Sequence, residues 1–346
     1  LSAYSDTLYG IALIVGGLAI TLLGLGHLGD GHVLQGIDHV VQNTPEKLNA
    51  FGKIDSDVVP WPTLFFGMLF NNLFFWCANQ MIVQKALAAK NLKESQKGAI
   101  YLSLFKVFGP IFTVIPGIIA FNMFGGNLSN SDNAFPTLLN EVLPGWAYGL
   151  FGAVIFGAIL SSFVGSLNST TTLFTMDLYK PLFAKNRSDK HIAIVGHIAT
   201  VVIGVIVVCL APVISLFPSG LYAVVQEFNG LYSIPLIVLI LVGFFAKRTS
   251  SLGAKVTLVA HIVLYILLNI FLPDVHYLYF FSVLFFVDLA IILLFNHFKP
   301  SNTFDIHSNY AKVDMTPWKY RYVTGIIVLI LVVICYIIFS PIGIAK

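Results

Sequence analysis

One apolar stretch, FNNLFFWCANQ, carries amides and aromatic rings at a spacing that could bind a polar ring-shaped molecule. These side chains recur at i, i+3, i+4 and i+7 and therefore share one face of a helix. They are Asn72, Phe75, Trp76 and Asn79. Amides donate to and accept from hydroxyl groups, and an aromatic plane can cover the apolar C–H face of a sugar. The same set could instead form hydrogen bonds between helices, with the rings as filler.

A lysine and a glutamine also lie within apolar stretches. Lys106 could snorkel to an interface, or point inward to donate to a hydroxyl or pair with a carboxylate. Gln226 and Glu227 stand beside Gly230 and Pro235, which could let a helix bend or break. Discontinuous helices at the bilayer midplane are where secondary transporters place their binding sites.

A further stretch, GAILSSFVGSLNSTTTLFT, combines small residues with hydroxyl groups. Gly157, Ser161 and Gly165 form a row of small residues that lets two helices pack closely. The adjacent hydroxyls of Ser161 and Ser162 could also supply oxygen ligands to a hard cation such as sodium. Two acidic residues in other apolar stretches, Glu227 and Asp288, are interpreted as structural.

The composition places all these residues in a membrane. Of 346 residues, 57% are hydrophobic and 10% charged, whereas a soluble domain carries about 25% charged residues. Apolar runs near the roughly 20 residues that cross a bilayer recur along the chain. The sequence therefore predicts an all-α polytopic protein in a lipid bilayer, with no nucleic-acid partner.

About nine spans are predicted, at 4–26, 61–82, 99–122, 146–176, 192–213, 218–245, 253–272, 276–296 and 322–343. Alternate loops then place most of the 19 lysines and arginines on one side of the membrane. By the positive-inside rule the N-terminus is cytoplasmic and the C-terminus external. We expect a multi-pass protein of the cell inner membrane. Because the chain starts at Leu1 without a methionine, we also expect the N-terminal part of a longer protein to be missing.

Four stretches strongly resemble the solute:sodium symporter family, and most closely its bacterial sodium/galactose (sodium/glucose-type) members. They are NNLFFWCANQMIVQKALAAKNLKESQKG, LFKVFGPIFTVIPGIIAF, GAILSSFVGSLNSTTTLFTMDLYK and VVQEFNGLYSIPLIVLILVGFFAKRTSSLGA. The resemblance, over nearly all of 1–295, implies a leucine-transporter-like core of two inverted five-helix repeats. Residues 1–346 would form one N-terminally truncated transmembrane domain. In it, 4–26 would end the first repeat, 61–245 would be the second repeat, and 253–343 would be peripheral helices.

The resemblance also implies which residues bind the solute. They are Asn72, Phe75, Trp76, Lys106, Tyr222 and Gln226. Asn72, Lys106 and Gln226 match sugar-contacting residues of the sixth, seventh and tenth core helices. Phe75 stands where the sodium/galactose members have a tyrosine stacked on the pyranose, so the ring is retained and the hydroxyl is lost. Tyr222 matches an aromatic of the outer gate.

A sodium site is implied in the same way. Ala158, Ser161 and Ser162 match the eighth-helix half of the site, and carbonyls of the first core helix, in the missing region, would form the other half. Asp6 resembles an acidic residue along the sodium exit path. The implied function is sodium-coupled symport of a sugar such as galactose or glucose by alternating access, with sodium as the coupling ion, no cofactor and no enzymatic reaction.

Two other functions stay open. One is sodium symport of another solute, such as an inositol, a sugar acid or another organic anion, although the asparagine–lysine–glutamine set favours a neutral polyhydroxyl compound. The other is a membrane sensor built on a transporter-like domain, which the absence of a soluble module after the last predicted helix disfavours. The sequence does not predict an oligomeric state.

Overall fold

Every regular element among the described residues of the computed structural model is a helix, which agrees with the predicted all-α class. The structure describes residues 2–56, 59–128, 131–214, 221–246, 248–300 and 314–345. The α-helices are α1 (Ser2–Leu28), α2 (Val33–Asn43), α3 (Gly67–Cys77), α4 (Gln80–Leu87), α5 (Leu92–Thr113), α6 (Ile115–Phe124), α7 (Ala134–Val142), α8 (Ala147–Thr172), α9 (Lys180–Phe183), α10 (Asp189–Ile214), α11 (Leu221–Phe245), α12 (Ser251–Phe271), α13 (Tyr277–Phe298) and α14 (Arg321–Ile338). Short 3₁₀-helices cover Pro45–Leu48, Trp61–Phe65 and Ser131–Asn133, and a π-helix, Leu173–Tyr179, joins α8 to α9.

Eight helical segments in the described part of the chain are long and apolar enough to cross a membrane. They are Tyr4–Leu28, Leu92–Phe124, Ala147–Phe183, Asp189–Val213, Val224–Phe245, Ser251–Phe271, Tyr277–Phe298 and Arg321–Ile338. Most of their apolar surface stays exposed: between 6% and 39% of each apolar window is buried. Such helices are suited to a lipid environment, because their exposed side chains are apolar. Lipid offers no hydrogen-bond partners, and the backbone polar groups of a helix are paired within the helix itself.

The span predicted over 61–82 is interrupted, and the helical face predicted to include Asn79 is wrong at that residue. Its central helix α3 ends at Cys77, and α4 starts at Gln80. Asn79 lies between them with an extended backbone and caps α4, because its side-chain oxygen accepts a hydrogen bond from the N–H of Met81 at 2.9 Å. An asparagine oxygen at this position satisfies a backbone donor that the first helical turn leaves unpaired. Asn79 is therefore not on the face of α3 that carries Asn72.

The helix over 218–245 shows the opposite outcome. α11 runs without interruption from Leu221 to Phe245, through both Gly230 and Pro235. The break that these two residues could have produced is not present. Proline has no N–H, so Pro235 cannot donate to the carbonyl four residues earlier, at Leu231.

The chain divides into two compact units. The first consists of Leu1–Asn49, Ile100–Gly220 and Tyr322–Lys346, and the second of Ala50–Ala99 and Leu221–Arg321. Each unit has its own buried apolar cluster.

The core of the first unit forms where α1 meets α6 and α7. Ile20, Ile119 and Leu138 are fully buried there. Glycines in α1 permit this approach: a Cβ at Gly24 would lie 2.9 Å from the side chain of Ile119. The buried hydroxyl of Thr21 lies 2.8 Å from the carbonyl oxygen of Ile111, near the joint of α5 and α6, so a polar contact accompanies the apolar packing.

The core of the second unit is formed by α3, α11, α12 and α13. The ring of Phe70 in α3 stacks on Phe285 in α13 with 3.6 Å between centroids. The ring of Phe74, one turn further along α3, meets Tyr232 of α11 edge-on at 5.6 Å. These aromatic pairs fix α3 against α11 and α13 and so determine which face of α3 stays exposed.

Gly230→Ala tests the packing of α11 in this unit. An added Cβ would lie 2.7 Å from the hydroxyl oxygen of Tyr265 and closer still to the ring of Phe281. We expect the free energy of unfolding of the full-length protein to fall by about 1–3 kcal/mol, because that is the usual effect of overpacking a filled core. The measurement is the apparent melting temperature in detergent. Gly243→Ala is the control in the same helix, since its added Cβ meets nothing within 4 Å. Equal melting temperatures for the two variants would contradict the packing described.

Candidate functional site

α3 has one buried face and one exposed face. Phe70, Asn71 and Phe74 are buried, whereas Asn72 and Phe75 are exposed. The buried rings hold α3 in the core, so the face that carries Asn72 and Phe75 points away from it. The predicted amide-and-ring surface is therefore available to a ligand, except at its last position, Asn79.

The exposed face of α3 ends at the break before α4. The side-chain N–H of Asn72 donates to the carbonyl oxygen of Met68 at 2.9 Å, which fixes the amide against its own helix. The rings of Phe75 and Trp76 meet edge-on, 5.0 Å between centroids. Both rings lie in the last turn of α3, where backbone carbonyls lose their helical partners. A polar molecule at this helix end would meet an amide, two rings and backbone oxygens.

Gln226 belongs to a row of polar side chains along α11. The Nδ2 group of Asn229 donates to Oε1 of Gln226 at 3.0 Å, and the hydroxyl of Tyr232 donates to Oδ1 of Asn229 at 2.6 Å. Tyr232 in turn contacts Phe74 of α3. The second unit therefore brings the helix of Gln226 beside the helix of Asn72.

Sequence reasoning missed Asn229 and Tyr232. Their i, i+3 spacing from Gln226 was the available signal, since residues three apart are neighbours on a helix surface. Tyr222, the predicted gate residue, lies in the first turn of α11, and its side chain falls outside the described residues.

Lys106 lies in the α5 part of an apolar segment of the first unit and is exposed. The helical segment Leu92–Phe124 begins with the polar stretch LKESQKG, so its apolar part starts near Ala99. From there Lys106 is about 10 Å along the helix at 1.5 Å per residue. A cation at that depth is costly unless it faces a cavity or a partner or extends to the interface. The position is compatible with both interpretations of Lys106, solute contact and snorkelling.

The predicted cation residues lie on α8. Ser161 is partly buried and Ser162 is exposed, and Ala158 is one turn before Ser162. The hydroxyl of Ser161 donates to the Oδ1 atom of Asp6 in α1. Asp6 was predicted separately, on an ion path, and the structure places its carboxylate against Ser161.

Close packing of α1 on α8 makes this contact possible. Gly157 is buried, and a Cβ there would overlap the ring of Tyr9, one turn along α1 from Asp6. A carboxylate and hydroxyl groups are the oxygen donors that hard cations prefer, and the single carboxylate gives the cluster a negative charge. The residues present therefore fit a sodium ion.

Comparison with known proteins shows the family of the chain. The family model described as "Sodium:solute symporter family" matches residues 2–261. The chain belongs to the sodium:solute symporter family. The motifs predicted this membership, and it is confirmed. It is a family of sodium-coupled transporters and not of enzymes, as the resemblance implied.

Relatives in the family come from bacteria and animals. The chain is 39% identical to an uncharacterised symporter, YidK, of Escherichia coli, over 92% of this chain and 55% of that protein. It is 31% identical to a sodium/glucose cotransporter of Vibrio parahaemolyticus, over 75% of this chain and 51% of that protein. It is also 31% identical to human sodium/myo-inositol cotransporter 2, over 72% of this chain and 41% of that protein. The chain thus spans about half the length of the curated relatives it matches.

A solved structure confirms the fold class. The chain superimposes on a Na⁺-coupled sialic acid symporter, solved in a substrate-bound outward-open state, with a TM-score of 0.70. The match covers 88% of this chain and 63% of the other, at 21% identity. The predicted multi-pass, leucine-transporter-like fold is correct. The assignment of 4–26, 61–245 and 253–343 to the first repeat, the second repeat and the periphery stays a prediction.

Asn79→Ala tests the break next to the rings of α3. Losing the cap should cost about 1 kcal/mol at the start of α4. We expect the amide hydrogen of Met81 to exchange with solvent about five-fold faster, since 1.4 kcal/mol corresponds to a factor of ten. Hydrogen exchange read by mass spectrometry on the full-length protein measures this. Asn79→Ser keeps an oxygen at the cap and should stay near the wild-type rate. If the Met81 amide of Asn79→Ala exchanges as slowly as in the wild type, the cap does not stabilise the start of α4.

Proposed function

We propose that the full-length protein is a sodium-coupled symporter of the cell inner membrane that carries a neutral polyhydroxyl solute, a sugar such as galactose or glucose. The observation that carries this proposal is the contact between the Ser161 hydroxyl and the Asp6 carboxylate, in a chain that belongs to a family of sodium symporters. It supplies an oxygen-rich, negatively charged cluster on transmembrane helices, which is what a coupling sodium ion requires.

The proposed solute contacts of the second unit are amides and aromatic rings. Asn72 and Gln226 donate to and accept from hydroxyl groups. Lys106, in the first unit, is assigned to the solute by the resemblance alone and can only donate. Phe75 and Trp76 cover the apolar face of the ring, and Tyr222 closes over it from outside. The sodium/glucose and sodium/myo-inositol cotransporters among the relatives support a polyhydroxyl solute.

Coupling follows from shared conformational states. Ala158, Ser161, Ser162 and Asp6 hold sodium, together with oxygens from a preceding helix. Sodium shifts the equilibrium toward the outward-open state to the extent that it binds this state more tightly than the inward-open state. Because binding linkage is reciprocal, the solute raises the affinity for sodium by the same factor that sodium raises the affinity for the solute. Closure of the outer aromatics and opening near Phe75 then complete the transport cycle.

Ser162→Ala and Asp6→Asn test the cation site. In proteoliposomes with the full-length protein, we expect each to raise the half-saturating sodium concentration for solute uptake by about 10- to 100-fold. A contact to a charged group contributes about 1.5–3 kcal/mol. Thr170→Ala is the matched control, since this exposed hydroxyl on α8 bonds to the carbonyl of Ser166 in its own helix. If Ser162→Ala leaves the sodium dependence unchanged, the cation assignment is wrong. A sensor would show no sodium-driven accumulation in the wild type.

An anionic sugar acid is the second candidate solute, and the charge of Lys106 within an apolar segment favours it. An ammonium group at membrane depth could neutralise a carboxylate as well as donate to a hydroxyl.

Lys106→Gln separates the two solutes. The glutamine still donates to hydroxyls but carries no charge, so uptake of a neutral sugar should lose affinity by about ten-fold or less. Uptake of an anionic sugar should lose much more, because the carboxylate would be left unpaired. The measurement is KM for galactose, glucose, myo-inositol and sialic acid in wild type and variant. If the wild-type protein takes up only sialic acid and Lys106→Gln takes up none, the solute is an anionic sugar and not a neutral one.

A further inference from the structure

A fully buried histidine joins three helices of the second unit. His261 of α12 and Asp288 of α13 are both 0% exposed. The Nδ1 atom of His261 lies 2.7 Å from Oδ2 of Asp288, and its Nε2 atom lies 3.0 Å from the carbonyl oxygen of Gly230 in α11. The expectation that Asp288 is structural gave it no partner, and His261 was not singled out from the sequence.

The hydrogen bonds fix how many protons the pair holds. A backbone carbonyl only accepts, so Nε2 of His261 must carry a hydrogen. One further proton must lie between Nδ1 and the carboxyl oxygen of Asp288. Whichever of the two atoms holds it, the pair is neutral overall. A neutral pair suits a site without solvent, where an unpaired charge would be costly.

A second side chain of α12 holds α11 in the same way. The hydroxyl of Tyr265 donates to the carbonyl oxygen of Glu227 at 3.0 Å. The carbonyls of Glu227 and Gly230 are about one turn apart, and they flank Asn229 and adjoin Gln226. External donors therefore hold the one segment of α11 that carries the polar row beside α3.

The local sequence of α11 explains why external donors matter here. Gly230 has no side chain, so the ring of Phe281 and the hydroxyl of Tyr265 approach its backbone closely. Pro235 removes the helical donor to the carbonyl of Leu231. The segment thus lacks one hydrogen bond of a regular helix, at the residue next to the carbonyl that His261 holds.

We propose that His261, Asp288 and Tyr265, named here the α11 latch, are positioning residues for solute binding. By holding the carbonyls of Glu227 and Gly230 they set the orientation in which Gln226 and Asn229 present their amides. This inference rests on the proposed function, in which Gln226 contacts the solute. None of the three latch residues touches the solute.

Three variants separate positioning from packing. Asp288→Asn keeps the pair neutral, because its N–H group can donate to Nδ1 while Nε2–H still binds Gly230. The double variant His261→Phe with Asp288→Leu removes both polar groups together. Replacing a buried polar pair by apolar residues of similar size often leaves a protein folded, but the bond to Gly230 is lost. Tyr265→Phe keeps the ring and removes only the donor to Glu227.

Solute uptake by the full-length protein in proteoliposomes gives the first readout. We expect the solute KM of Asp288→Asn to stay within about three-fold of wild type. The KM of the double variant should rise by about ten-fold or more and that of Tyr265→Phe by about two- to ten-fold, in line with the loss of one buried hydrogen bond. Stabilisation by sodium without solute, measured as a shift in melting temperature, should stay unchanged in all three.

Hydrogen exchange of the amides in 227–234 gives a second readout that needs no transport. It should be faster in the double variant and near the wild-type rate in Asp288→Asn. A wild-type KM in both the double variant and Tyr265→Phe would show that the latch only packs, and would overturn the proposal. If the wild-type protein takes up none of the four solutes, the proposed function fails. Hydrogen exchange of the amides in 227–234 then tests the α11 latch by itself, and an unchanged exchange rate in the double variant overturns the latch proposal. If the double variant does not fold, the KM and exchange rates of Tyr265→Phe decide in the same way.

Discussion

A polar group inside an apolar bundle must find a partner within the protein, because lipid offers none. This constraint accounts for two contacts that tie helices together and for one row of contacts within a helix. Ser161 donates to Asp6 and ties α8 to α1. His261 joins α12 and α13 to α11 through Asp288 and the backbone of Gly230. Within α11, the side chains of Gln226, Asn229 and Tyr232 satisfy one another. In each case a polar group finds its partner inside the protein.

Much of this architecture follows from the sequence, because composition and periodicity are local properties. Apolar run lengths predict nine spans, and eight of them coincide with long apolar helices in the described part of the chain. The i, i+3, i+4 spacing places Asn72, Phe75 and Trp76 on adjoining positions of α3. Asn79 shows the limit of periodicity. A helical spacing cannot reveal that an amide will leave the helix to cap the next one, since both uses suit the same residue type. Pro235 is the converse, because α11 continues through a residue that often breaks helices.

Contacts between distant residues could not be predicted in the same way. The resemblance implied a sodium site at Ser161 and an ion exit path at Asp6. The two residues are 155 positions apart, and only the packing of α1 on α8 shows that they touch. His261 has no local pattern, because a lone histidine in an apolar run carries no periodic signal. Asp288 was predicted to be structural. Its contact with His261 can be seen only in the structure, where α11, α12 and α13 meet.

The row of polar groups on α11 has a direction. The phenol of Tyr232 gives its hydrogen to the carbonyl end of Asn229, so the amino end of Asn229 faces Gln226 and engages the oxygen there. The phenol of Tyr232 thereby determines how the amide of Asn229 is turned on the helix, and through it which end of that amide meets Gln226. Loss of this one hydroxyl would release the amide of Asn229 to turn over, although no residue of the row itself would be displaced.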